Sequence, residues 1–250
     1  MKTILITGCS SGFGLETARH FLGRDWNVVA TMRTPREGAL PRSERLRVLA
    51  LDVTNPDSIR QAVDAAGPID ALVNNAGIGF LNALEGTPMS VAREVFEANT
   101  LGTIAVTQAV LPQLRARKAG VIVNVTSSVT LRPLPLLSVY RASKAAVNAF
   151  TESLAVELEP FGIRVRLVLP GRAPETRFGD NARSRMKEGF PEAYASLAES
   201  IMARWQTATA VTLSRDVAEA VWRAVNDPSC PGRLPAGADA VEWASEPARG

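Results

Sequence analysis

A chain of 250 residues with 46% hydrophobic content can bury a sizeable core, as one large α/β domain or as two small ones. Two cysteines, Cys9 and Cys230, and one histidine, His20, exclude a disulfide framework and a multi-histidine or thiolate metal site, and leave little room for Ser-His-acid chemistry. The formal net charge of +3 comes from scattered arginines rather than from a basic stripe with exposed aromatics, which argues against a nucleic-acid partner.

Apolar, β-rich runs alternate with helical patterns along the whole chain. The first run lies in Met1–Cys9, and its apolar part is too short for the about 7–15 residues of a signal core, so Thr3–Thr7 reads as a buried strand. A helix follows over Gly12–Leu22, with His20 on it as a packing residue. Strands are expected at Asn27–Met32, Arg47–Leu51, Ala71–Asn74, Val121–Thr126, Arg164–Leu169 and Arg233–Ala236. Continuous Val/Ile/Leu runs of this kind suit parallel strands covered on both faces. Thr34–Ser43, with Pro35, Gly38 and Pro41, reads as a loop. Asn55-Pro56 supplies a cap and a first-turn proline for the second helix. Ser90–Lys118 reads as two helices or one long bent helix, and Ser138–Glu159 as a long helix closed by Pro160 and Gly162. The alternation predicts a single Rossmann-type, doubly wound parallel sheet of about seven strands, with helices on both faces. Residues 177–206 break the pattern and read as an inserted helical substrate flap within one domain spanning 1–250. No run approaches the about 18 apolar residues of a membrane span; a soluble, cytoplasmic chain without a metal is expected.

Three motifs carry chemistry. The first strand runs into Thr7-Gly8-Cys9-Ser10-Ser11-Gly12-Phe13-Gly14 and then into a helix. Glycines there let backbone approach a pyrophosphate whose charge sits at the helix N-terminus. The spacing is GxxxGxG, and the alternative is an ordinary Gly-rich turn. In the run Tyr140-Arg141-Ala142-Ser143-Lys144 the phenol and the ammonium share one helix face. A nearby positive charge lowers a phenol pKa that starts near about 10, and a phenol so tuned can pass a proton to or from oxygen. At the end of the second strand stands Arg33, with no acid before Glu37 to hold a ribose 2′-hydroxyl. Its planar fork can meet a 2′-phosphate and Ser11 can add a hydroxyl, against the alternative of a solvated loop arginine. NADP(H) is therefore the expected cofactor.

Taken in order, the glycine motif, Asp52-Val53, Asn74-Asn75-Ala76-Gly77, Asn99, Ser127, Tyr140 with Lys144, and Pro170-Gly171 resemble the short-chain dehydrogenase/reductase family, in its compact branch. Thr7-Gly8-Cys9-Ser10-Ser11-Gly12 and Ala30-Thr31-Met32-Arg33 are similar to its hydroxysteroid and retinol dehydrogenases. The resemblance implies a catalytic set of Asn99, Ser127, Tyr140 and Lys144. Tyr140 would be the general acid in carbonyl reduction and the base in reverse. Lys144 would depress its pKa and bind nicotinamide ribose hydroxyls. Ser127, thirteen residues before Tyr140, would hold the substrate oxygen, with Ser128 as its competitor. Asn99 would hold a relay water, the alternative being a helix-interior asparagine bonded to its own backbone.

The resemblance further implies a cofactor-binding set of Gly8, Ser10, Ser11, Gly12, Phe13, Gly14, Arg33, Asp52, Val53, Asn75, Ala76, Gly77, Tyr140, Lys144, Pro170, Gly171 and Thr176. Asp52 would accept from the adenine amino group, unless it caps a helix, a task for which Asn55 is already placed. Pro170-Gly171 and Thr176 would hold the carboxamide. Four residues rather than the usual three separate Gly171 from Thr176, so Thr176 has the alternative role of capping the flap helix. Ile78, Phe80, Leu81, Leu134, Leu136 and Leu137 should face the cleft, with Phe178, Phe190, Tyr194 and Trp205 added by the flap. An apolar ketone, aldehyde or secondary alcohol is expected as substrate. Family members commonly pair through helices equivalent to Thr100–Arg117 and Ser138–Glu159, which implies a homodimer or homotetramer. Non-enzymatic nucleotide sensors on this fold tend to lose Tyr or Lys of the pair, and halohydrin dehalogenases carry Arg for Lys; this chain shows neither change.

Overall fold

The computed structural model describes residues 1–36, 38–186 and 189–246; Glu37, Lys187, Glu188 and residues 247–250, named or spanned in the sequence reading, lie outside them. Seven strands form one parallel sheet: β1 (Thr3–Ile6), β2 (Asn27–Met32), β3 (Leu46–Ala50), β4 (Ala71–Asn74), β5 (Gly120–Val125), β6 (Ile163–Pro170) and β7 (Arg233–Ala236). Their order is β3-β2-β1-β4-β5-β6-β7. The chain builds outward one way from β1 and then, after β3, returns to lay β4 on the other side of β1. Doubly wound sheets bind ligands at such a reversal, beyond the carboxyl ends of the strands.

Strand alternation decides what each face buries. In β1, Ile4 and Ile6 join a cluster with Phe21, Val217 and Val221, while Leu5 points the other way among Ile59, Val106, Leu114 and Leu154. The first face is covered by α1 (Gly12–Leu22) and by a helix over Ser214–Asn226; the second by α2 (Pro56–Ala66), a helix over Gly102–Arg117 and a helix over Ser138–Leu158. Asn55 accepts hydrogen bonds from Asp57 N–H (2.9 Å) and Ser58 N–H (3.1 Å), which gives α2 the side-chain cap expected of it.

The stretch expected as two helices or a bent one is α3 (Met89–Phe96), a π-helical turn over Glu97–Leu101, and α4 (Gly102–Arg117). The wide turn is the bend, so both descriptions hold in part. α5 runs over Ser138–Leu158. Residues 177–206 contain α6 (Phe178–Arg183), a 3₁₀ turn at Glu192–Tyr194 and most of α7 (Ala195–Thr207), before α8 (Ser214–Asn226). After β7 comes α9 (Ala238–Ser245), which the sequence reading did not anticipate. No helix among the described residues is long and apolar enough to cross a membrane, and no group of three or more metal-ligating acids, histidines or cysteines occurs among them.

Candidate active site

Glycine is obligatory where the loops after β1 and β4 meet. Gly8 takes φ +75°, a left-handed conformation that penalises any Cβ. A Cβ on Gly14 would overlap the Gly8 carbonyl and the Asn75 side chain. Thr7 ties the two loops: its Oγ1 accepts the Asn75 and Ala76 N–H groups at 3.0 Å each, and Asn75 Nδ2 returns a bond to Thr7 O at 2.9 Å. The sequence reading quoted Thr7 as the end of the first strand and the head of the glycine motif; this clamp is its structural role. Ser10, exposed, and Phe13, half-buried against the core, flank the turn. Ser11 is the N-cap of α1 in extended geometry, and its hydroxyl makes no bond to the helix, leaving the first-turn N–H groups to face an anion. A Cβ on Gly12 would touch Thr176, so despite the extra residue after Gly171, Thr176 reaches the glycine turn. Its Oγ1 also takes part in the turn entering α6, donating to Ala173 O at 2.9 Å and accepting from Phe178 N–H at 3.4 Å.

Arg33 is exposed just past β2. Burial pushes the Asp52 carboxyl up, but hydrogen bonds from Thr54 and the nearby Arg33 charge outweigh it and leave it below its ordinary value. Arg33 and Asp52 thus lie near one another beyond the ends of β2 and β3. Val53 packs against Gly102 at the start of α4.

At the carboxyl ends of β4 and β5, Asn99, Ser127, Tyr140 and Lys144 are all at least nine-tenths buried. The π-helical turn presents Asn99 sideways. Its Oδ1 accepts Ile78 N–H (2.8 Å), and its Nδ2 bonds Ile78 O (3.0 Å) and Ser143 Oγ (3.0 Å). Asn99 therefore fastens the segment after Gly77 to α5, rather than bonding its own helix. Its backbone carbonyl accepts from Thr103 Oγ1 at 2.9 Å. A Cβ on Gly77 would sit 3.0 Å from Asn99 Oδ1 and 3.3 Å from Lys144 Nζ, which places these groups around one small space.

The proton chemistry differs from the sequence reading in one respect. Lys144 was expected to depress the Tyr140 pKa. Burial instead pushes the phenol up to about 12, and the group that draws it down is Ser127, through a side-chain hydrogen bond. Lys144 donates to Val125 O at 3.1 Å, and burial lowers its ammonium to about 8. Helical spacing puts the two side chains on one face, but desolvation outweighs charge proximity in so dry a site. Of the two serines it is Ser127 whose side chain draws the phenol down; its Oγ accepts Val129 N–H at 3.3 Å. Two arginines hold its loop: Arg141 Nε donates to Val129 O at 2.9 Å, and Arg132 reaches across to α9.

The Phe178 ring lies over Tyr140 with centroids 5.7 Å apart and fills the space beside Gly79. Beyond it, Leu81 and Leu136 pack with Ala198 and Ile201 of α7, flanked by Leu137, Phe190, Tyr194 and Trp205. Leu136 holds φ +63°, a conformation costing a branched residue about 1–3 kcal/mol, and its carbonyl accepts Asn82 N–H at 2.9 Å. Buried Asn82 also donates to Gly86 O (2.9 Å) and Gly189 O (3.0 Å). Of the ladder Asn74–Asn124–Thr151 beneath the site, only Asn74 was quoted from sequence, within its motif; Asn82, Asn124 and Thr151 were not singled out. Lone polar residues inside apolar runs gave the only signal.

A parallel α/β sheet with a glycine turn at its reversal and a buried Ser-Tyr-Lys group beside it defines a nucleotide-dependent class of protein. The sequence profile described as short chain dehydrogenase matches residues 2–187, and the chain belongs to that family. Retinol dehydrogenase 8 of Bos taurus is 41% identical over 182 residues, covering 68% of this chain and 58% of that protein. The match thus spans less than two thirds of that relative's length. Among solved structures, a serine dehydrogenase complexed with NADP+ is 28% identical, with TM-score 0.80, covering 94% of each chain. A 3-ketoacyl-(acyl-carrier-protein) reductase from Brucella melitensis complexed with NADH is also 28% identical, with TM-score 0.76, covering 94% of this chain and 96% of that one.

Proposed function

We propose that this chain is an NADP(H)-dependent oxidoreductase that interconverts an apolar ketone or aldehyde and the corresponding alcohol. The observation carrying the reading is the clustering of buried Tyr140, Ser127, Lys144 and Asn99, with Lys144 one helical turn from Tyr140 and the Phe178 ring 5.7 Å from the phenol ring. The glycine turn fits the cofactor: Ser11 makes no side-chain bond to α1, leaving its first-turn N–H groups for a pyrophosphate, while close packing at Gly8 and Gly14 holds the turn in shape. Asp52, Val53, Asn75, Ala76 and Gly77 line the adenosine side, with Gly8, Ser10, Ser11, Gly12, Phe13 and Gly14 at the phosphates. Pro170, Gly171 and Thr176 stand at the nicotinamide end. Arg33 reads the 2′-phosphate, in preference to the NAD form held by some relatives. A bound nicotinamide supplies or accepts the hydride.

The protein's own part is proton transfer and positioning. A phenol held at about 12 carries its proton at neutral pH, so Tyr140 begins reduction as a neutral acid ready to donate. It passes the proton to the substrate oxygen as negative charge develops there, while Ser127 steadies that oxygen. The phenolate left behind is stabilised through Ser127, while Lys144 holds the nicotinamide ribose hydroxyls. Asn99 keeps the Gly77–Ile78 segment and α5 in register. The apolar surfaces of Leu81, Leu136, Phe178 and α7 select the substrate. We read 1–250 as one unit with 177–206 as its flap, and half-exposed Leu101 on the π turn with exposed Val156 on α5 as part of a self-association face.

Paired titration of the protein with NADPH and NADH, followed by a panel of apolar carbonyls, tests this directly. Tyr140→Phe should retain nucleotide affinity and lose nearly all turnover; undiminished turnover removes Tyr140 from the acid-base role. Arg33→Asp should weaken NADPH by about tenfold or more, as expected on losing a charge-assisted pair, and spare NADH. An unchanged preference removes Arg33 from phosphate recognition.

A further inference from the structure

Asp239 is a carboxylate only 5% exposed, and the proton chemistry above has no use for it. It lies in the first turn of α9, where an acid ordinarily serves its own helix. It turns away instead. Its Oδ2 accepts Arg172 N–H at 2.6 Å, and its Oδ1 stands 2.7 Å from the hydroxyl of fully buried Thr212. That same Thr212 oxygen accepts Gly171 N–H at 2.8 Å, and Thr212 N–H donates to Arg172 O at 2.8 Å. One hydroxyl–carboxylate pair therefore holds two successive N–H groups at the exit of β6. A Cβ on Gly171 would overlap the carboxylate, so the acid lies flat against this backbone. The far end of α9 is anchored too: Arg132, five residues beyond Ser127, stacks 3.6 Å over Trp243 and pairs with Glu246 at 3.3 Å.

A buried carboxylate is expensive to desolvate and is a poor way merely to hold a corner. Its advantage is a short, charge-assisted grip that fixes geometry. We propose that Asp239, with Thr212, is a positioning residue that sets the Pro170–Gly171–Arg172 backbone against the nicotinamide end of the cofactor; the proposal rests on the cofactor reading above. α9 thereby joins the site from outside the dinucleotide fold, bridging the β6 exit and the Ser127 loop.

The test compares binding of NADPH with that of 2′-phospho-ADP-ribose, which shares everything but the nicotinamide ring, in wild type, Asp239→Asn and Thr212→Val. Each variant should weaken NADPH by about tenfold and the ring-less ligand by no more than about twofold. The double variant should be no worse than the weaker-binding single one, because both act through one network. The fluorescence lifetime of bound NADPH should fall toward that of the free nucleotide. Equal losses for both ligands, or wild-type affinity and lifetime, overturn the positioning role. Should both variants fail to fold, Gly171→Ala presses on the same carboxylate from the other side and should give the same ring-selective loss; a non-selective one overturns the proposal. A wild-type protein that binds neither NADPH nor NADH sinks the cofactor reading itself, a pattern distinct from the others.

Discussion

Replacing Lys144 by methionine should make the protein more stable while abolishing its chemistry. The side chain is 5% exposed, with its ammonium bonded to Val125 O and lowered by burial from 10.5 to about 8. That displacement corresponds to a folding penalty of about 3 kcal/mol at neutral pH, which an apolar side chain of similar length does not incur. The sign follows from proton counts. Unfolded lysine keeps its proton to 10.5, the folded one only to about 8, so between these values the unfolded chain binds more protons and stability rises with pH. Wild type should therefore gain about 2 kcal/mol between about pH 7 and about pH 9.5 relative to Lys144→Met. Cys9 and Tyr140, whose burial raises both groups to about 12, lose stability toward alkaline pH but are common to both proteins and cancel in the difference. Urea unfolding of both, without nucleotide and at equal protein concentration, measures the gap at each pH. A gap that stays constant would falsify the claim that Lys144 is held charged in a dry site.

Two further substitutions test the surroundings. Gly14→Ala forces a methyl into the Gly8 carbonyl and the Asn75 side chain; a loss of about 1–3 kcal/mol in urea unfolding with failure of nucleotide binding is expected, and wild-type behaviour in both assays would contradict the close packing of the two loops. Asn82→Ala leaves Gly86 O and Gly189 O without their donor. It should cost about 1–2 kcal/mol, speed tryptic cleavage at Arg183 or Arg185, and raise KM for apolar carbonyls more than it lowers kcat. Unchanged cleavage would mean that Asn82 does not restrain residues 177–206.

Much of the frame was legible because it rests on local rules. All seven strands were placed to within a residue or so of their ends, most of them by Val/Ile/Leu runs, for instance Arg164–Leu169 against the observed Ile163–Pro170, since a strand covered on both faces has few polar choices. The glycine turn was legible from Gly8, Gly12 and Gly14 lying between a strand and a helix. What escaped depends on distant partners. Asp239 is 67 residues from Arg172, and nothing in a short apolar-acidic helix announces that its carboxylate serves another segment. The Tyr140–Lys144 spacing gave the shared face, but the depth of burial that reverses the expected phenol shift is a property of the packed molecule. Thr176 shows the converse. An extra residue in the sequence suggested displacement, yet the turn after Gly171 absorbs it and still delivers the side chain to Gly12.

The wide turn at Glu97–Leu101 puts the two halves of one helical rod out of phase. Hydrogen bonds that close over five residues rather than four accommodate more chain than a regular helix allows, so the apolar stripe of α3 cannot be extrapolated from that of α4. Asn99 sits inside the offset, aimed at Ile78 and Ser143. Shortening the chain by one residue here would restore a regular backbone ladder while rotating Asn99 by about 100° around the rod. The irregularity is thus a stored rotation: helical continuity is given up at one turn so that a single amide can face sideways into the site.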